Sequence, residues 1–148
     1  MHHILWIFLT VWIAMSAFSF SEAYVEGRNA GDKGKLGWRL RIAGRDFAAY
    51  HFFLFQVMFP LFILVLPFVA TDSWDPRTFG ILLSAYASGV ILEDFIWYMV
   101  NPVVRLLEFW TPFSDYFPWV RISGRKILPV HYFLYGALAI ASWYFLWR

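Results

Sequence analysis

Apolar residues run in four long blocks along the chain, at about 4–20, 47–70, 79–100 and 127–147. Apart from Glu93 and Asp94, every charged residue lies outside them. Blocks of ~17–24 residues are long enough to cross a ~30 Å hydrocarbon core as helices. The pattern therefore predicts an all-α, polytopic membrane protein, a four-helix transmembrane bundle forming one domain over 1–148. Pro60 is expected to kink the second helix by removing a backbone hydrogen bond, which membrane helices tolerate where neighbours re-satisfy the freed carbonyl. Pro129 falls near the start of the fourth helix, where its missing N–H costs little. The first block lacks the basic leading segment of a signal peptide, because Met1-His2-His3 carries no Lys or Arg, and is read as a retained span.

Composition agrees with this reading: 61% of residues are hydrophobic and only 15% charged, against roughly half and a quarter in soluble domains. The net charge of +2 matters less than its distribution. Of twelve Lys and Arg, six lie in 28–45 and four in 105–126. The positive-inside rule then places both basic loops in the cytoplasm and both termini outside, in a multi-pass protein of the cell membrane. Within the third loop, the mostly apolar 103–110 predicts a short interfacial helix, followed by an aromatic loop over 111–119 that lies on the membrane and caps the bundle.

With no cysteine, disulfides, thiolate metal sites and cysteine nucleophiles are excluded. No nucleotide-binding loop, serine-nucleophile motif or metalloprotease motif occurs. The expected partner is membrane lipid, not nucleic acid. Small size and an aromatic fraction of 23% also suit a homo-oligomer or a subunit of a larger membrane complex.

Two stretches of the chain read almost alike. Arg41-Ile42-Ala43-Gly44-Arg45 and the nine residues that follow align without a gap on Arg121-Ile122-Ser123-Gly124-Arg125 and their successors, with seven of fourteen positions identical. Each copy is read as a basic loop running into an apolar helix, with a histidine, His51 or His131, about a turn inside it. At the same offset, 1–20 and 81–100 share no residue, so the likeness is confined to these junctions. Arg45 and Arg125 stand where a lipid phosphate would lie, and arginine suits that group, although a snorkelling anchor accounts for either alone.

Charged residues inside a span are costly and mark function by default. Glu93 and Asp94 on the third helix, His51 on the second and His131 on the fourth fall in one layer near the cytoplasmic face. These four are the candidate metal ligands, with Tyr50, Trp97 and Asn101 as supporting residues. Four uses suit such a layer. A divalent transition metal (Zn, Fe or Mn) is one. Haem or another pigment on His51 and His131 is a second. Proton or ion passage is a third, and a purely structural lock between helices a fourth. The residues do not name a reaction. If there is one, a metal-activated water acting on a lipid headgroup is its most concrete form.

The segment Glu93-Asp94-x-x-Trp97-Tyr98-x-x-Asn101-Pro102, followed downstream by Trp119 and by Leu128-Pro129-x-His131-Tyr132, resembles a group of small four-span prokaryotic membrane proteins of unknown function. In that group an aspartate is usual where His131 stands, an exchange that suits a ligand position. The resemblance implies a shared site and brings no activity with it.

Overall fold

The structure, a computed structural model, describes residues 2–30, 38–42, 45–116 and 118–148, and for 39–42 and 45–47 the backbone alone. The helices are numbered along the chain as α1 (His2–Glu26), α2 (Ala49–Thr71), α3 (Pro76–Val100) and α4 (Val130–Ser142), the last continued by a π-helical turn, Trp143–Trp147. The strands are β1 (Arg39–Ile42), β2 (Arg45–Ala48), β3 (Trp119–Ile122) and β4 (Arg125–Pro129). The chain forms two compact units, Met1–Arg28 with Pro76–Arg148, and Asn29–Asp75. Helices α1, α2 and α3 are long and apolar enough to cross a membrane.

In the larger unit α3 is the central element. More than half of its apolar window (56%) is buried, against 17% for α1. Small residues along α3 make this possible, because they let neighbouring helices approach closely. A Cβ built on Gly89 would lie 3.0 Å from Met15 Cγ of α1, and one on Gly80 only 2.5 Å from Leu146 Cβ beyond α4. Hydroxyls and indoles bond across the same seams. Trp12 Nε1 donates to Ser88 Oγ at 2.9 Å, Ser84 Oγ to Ala139 O at 3.0 Å, and Ser142 Oγ to Gly80 O at 2.8 Å. These pairings run in step between α1 and α3, which are parallel, and in reverse between α3 and α4, which are antiparallel.

In the smaller unit α2 passes through Pro60 without a break. Phe52–Met58 before it and Leu61–Val65 after it are π-helical. Wider π spacing thus brackets Pro60, whose ring nitrogen has no hydrogen to donate. The helix ends at Asp72, whose φ of 47° places it in the left-handed region.

The expectation of an all-α chain needs correction, because each copy of the Arg-Ile-x-Gly-Arg motif is a β-hairpin. In the first, Ile42 pairs with Arg45, and in the second Ile122 pairs with Arg125, which leaves Ser123 and Gly124 for the second turn. Ser123 and Gly124 have φ of 50° and 78°, as the mirror-image turn favoured by two-residue hairpins requires. Residues 43 and 44 lie outside the described set. Each hairpin hands directly over to a helix. Ala49 N donates to Trp38 O at 2.9 Å, and Val130 N to Pro118 O at 2.8 Å. Helices expected from 47 and 127 therefore begin at 49 and 130, while α1 runs six residues past its expected end. The apolar part of the third loop forms a single 3₁₀ turn, Leu106–Trp110.

The two hairpins differ by one residue. The first is regular, whereas the second skips Ile127 between the pairs Val120–Leu128 and Arg121–Lys126. This bulge makes His131 the second residue of its helix, where His51 is the third. One residue is 100° of helical rotation, so equal sequence offsets do not give the two histidines equal facing.

Candidate functional site

A polar stripe runs along the last turns of α1. Buried positions Val11, Met15, Ser19, Glu22, Ala23 and Glu26 recur at helical spacing, and the stripe changes from apolar to polar at Ser19. On α3 the facing positions are Glu93, Trp97 and Asn101, one turn apart. Ser19 Oγ donates to Glu93 O at 2.7 Å. Asn101 closes the far end: its Nδ2 donates to Gly27 O at 2.9 Å, and its Oδ1 accepts from Val103 N and Val104 N, both at 2.9 Å. With amide and carbonyl both engaged, Asn101 staples the C-terminal ends of α1 and α3 together.

Between these fixed ends, three carboxyl groups converge. Glu22, Glu26 and Glu93 are 7%, 5% and 3% exposed. The Glu22 and Glu93 side chains interact directly, and the indole of Trp97 interacts with the Glu26 carboxyl. Yet among the described residues Glu26 Oε1, Glu93 Oε1 and Trp97 Nε1 make no hydrogen bond. By hydropathy Glu22 and Glu26 fall beyond the first apolar block, which ends near 20. The signal that could have found them was the spacing of Ser19, Glu22 and Glu26, which extends the buried stripe of α1.

Asp94 faces the other way. Tyr132 Oη donates to Asp94 Oδ2 at 2.6 Å, and His131 Nε2 lies 3.5 Å from the same oxygen. The Tyr98 and Tyr116 hydroxyls meet at 2.5 Å beside them. Over this group sits Phe109, 1% exposed, with its ring 4.9 Å from those of both Tyr98 and Trp119. The aromatic loop thus covers the end of α3 within this unit.

Arg28 ties that loop to α1. Its guanidinium bonds both Glu108 carboxylate oxygens, at 3.1 and 2.6 Å, and Val103 O at 2.9 Å. The fork holds the Glu108 carboxyl down, from 4.5 to about 2, helped by the backbone N–H of Arg105.

Within the larger unit the sequence-predicted residues are therefore divided. Glu93, Trp97 and Asn101 face α1, and Asp94 faces His131 at α4. His51 belongs to the smaller unit, where its ring centroid is 4.1 Å from that of Tyr50 and stacks on Phe55 at 5.8 Å. The side chain of Arg45 lies outside the described set. Arg125 is exposed on β4.

No family model, no curated protein and no solved structure matches this chain, so the functional reading stands on geometry and chemistry. The α1–α3 cluster offers up to six carboxylate oxygens in a nearly water-free setting. Such a cluster can bind a cation, share a proton, or both in exchange.

Proposed function

We propose that this is a four-span integral membrane protein whose buried carboxylates Glu22, Glu26 and Glu93 hold a divalent transition metal near the cytoplasmic face, with Asp94 and His131 alongside. The observation that carries the proposal is the convergence of three acidic side chains from two apolar helices, with one oxygen each of Glu26 and Glu93 making no hydrogen bond among the described residues. A carboxylate in a membrane interior needs a proton, a cation or a donor. Oxygen ligands with an imidazole nearby suit Mn, Fe or Zn. Such an ion at a membrane face would make bound water a nucleophile against a lipid headgroup. The resemblance of the Glu93–Pro102 motif to small four-span prokaryotic membrane proteins agrees with this reading.

Four spans are favoured by the parallel run of α1 and α3, since a chain leaving α1 at one end must enter α3 at the other. The 23-residue α2 is long enough to supply that return, at ~1.5 Å per residue. The second reading is a Glu22–Glu93 pair sharing one proton, supported by their direct interaction.

Metal analysis of protein purified in mild detergent separates the two. The metal reading expects about one divalent ion per chain, lost in Glu93→Gln and in Glu26→Gln while helical content is retained. Absence of metal after incubation with Mn, Fe and Zn, together with a Glu93→Gln variant as stable as the parent, would select the shared proton.

A further inference from the structure

Outside the helices, the β3–β4 hairpin and the loop before it enclose an open pocket of about 400 Å³. Its lining combines Trp110 and Pro112 with Asp115, Arg121, Arg125 and Lys126. Three cations stand against one carboxylate, leaving an excess of two positive charges.

The floor of this pocket is rigidly wired. Lys126, with a side chain 6% exposed, gives its ammonium to Asp115 Oδ1 at 2.8 Å, to Ser114 Oγ at 2.9 Å and to Thr111 O. Its three donors are thereby used, and its charge lies over the Trp119 ring at 4.8 Å. Asp115 also accepts from Arg121 at 3.0 Å. Lys126 first, then Arg121, keeps the Asp115 carboxyl below its ordinary range, so it stays an anion that orients both.

The rim is different. Arg121 commits one nitrogen to Asp115 and remains half-exposed. Among the described residues no carboxylate pairs with Arg125. Gly124, also on the lining, has φ of 78° and open space where a Cβ would be, so backbone there can approach a ligand closely.

Position decides what the pocket faces. The loop begins directly after α3 and the hairpin ends directly before α4, which puts both at a membrane surface if α3 spans. Around the pocket the chain exposes Leu107 (76%), Ile122 (61%) and Trp110 (42%). Exposed apolar and indole groups beside arginines suit the headgroup level of a bilayer.

We propose that this pocket binds the phosphate of an anionic phospholipid, with Arg121 and Arg125 as the phosphate donors and Trp110 against the glycerol and upper acyl region. The site is separate from the carboxylate cluster.

The test is lipid retention. Protein in nanodiscs of phosphatidylcholine with a minor fraction of phosphatidylglycerol is released into detergent, and bound lipid is read by native mass spectrometry. Phosphatidylglycerol should be retained selectively, and retention should fall about tenfold in the double variant Arg121→Gln/Arg125→Gln. Arg125→Lys should lie between, because it keeps the charge and loses the fork. Arg105→Gln removes a charge from the same loop away from the pocket and should leave retention unchanged. Equal retention of both lipids, or equal loss in Arg105→Gln, would overturn the proposal. So would tighter binding of soluble glycerol phosphate than of phosphatidylglycerol, which would assign the pocket to a free phosphate. Unchanged helical content in Arg125→Lys guards against loss through unfolding.

Discussion

Glu93 and Asp94 are consecutive residues, yet Glu93 is turned to Glu22 of α1 and Asp94 to Tyr132 of α4. Adjacent side chains on a helix diverge by 100°, and α3 has a helix on each side to receive them. The pair therefore serves two seams of the larger unit, and the two carboxyls answer to different tests.

Removing the Tyr132 hydroxyl isolates the second seam. Tyr132→Phe should cost about 1 kcal/mol, the usual worth of one interhelical hydrogen bond in a membrane protein. Asp94→Asn, which still accepts, should cost less. Reversible unfolding in mixed micelles measures both, and an unchanged Tyr132→Phe would mean that the 2.6 Å contact contributes no stability.

The two close glycines on α3 should differ in tolerance. At Gly80 a new methyl meets Leu146 Cβ, an atom fixed to the backbone, at 2.5 Å. Gly80→Ala should then cost ~1–3 kcal/mol through helix displacement. At Gly89 the neighbour is the flexible Met15 side chain at 3.0 Å, and Gly89→Ala should lose less. The same unfolding assay reads the order, and the reverse order would contradict the described α3–α4 packing.

Acid should loosen the third loop through Glu108. Its carboxyl is held at about 2 in the folded chain by Arg28 and by the Arg105 backbone, against 4.5 otherwise. The folded state thus binds fewer protons than the unfolded state. Its contribution is present above about pH 4.5 and is lost as the pH falls toward 2. Thermal midpoints from about pH 5 down to about pH 2.5 should fall less steeply in Glu108→Gln than in the parent. Parallel curves would mean that the fork with Arg28 adds nothing.

Orientation is open to direct labelling. Ten of twelve basic residues lie in the loops expected to be cytoplasmic. A cysteine at Arg105 should therefore resist an impermeant thiol reagent in intact cells, and one at Ser73 should react. The opposite pattern would place the carboxylate cluster at the outer face.

Much of the helical architecture was legible because long apolar blocks have few other ways to satisfy their backbone in hydrocarbon. Local turn chemistry is also present in the sequence. The β-branched and aromatic Trp119-Val120-Arg121-Ile122 before Ser123-Gly124 is a hairpin signal, although Arg121 and Arg125 also suit a basic loop. The likeness between the two motifs is first of all that of two antiparallel strand pairs. The bulge at Ile127 left no such trace, because one extra strand residue changes no composition or period, and it sets the facing of His131.

Hydropathy alone decides that the helices exist, roughly where they lie, and that Glu93 and Asp94 stand within an apolar span at a cost. Tertiary packing decides which neighbour each one meets. The small residues of α3 draw α1 and the end of α4 into close contact, and that registry brings Glu22 and Glu26 to Glu93 while sending Asp94 to Tyr132 and His131. A side chain's azimuth follows from helical geometry, whereas its partner depends on contacts between segments distant in sequence, which no local pattern encodes.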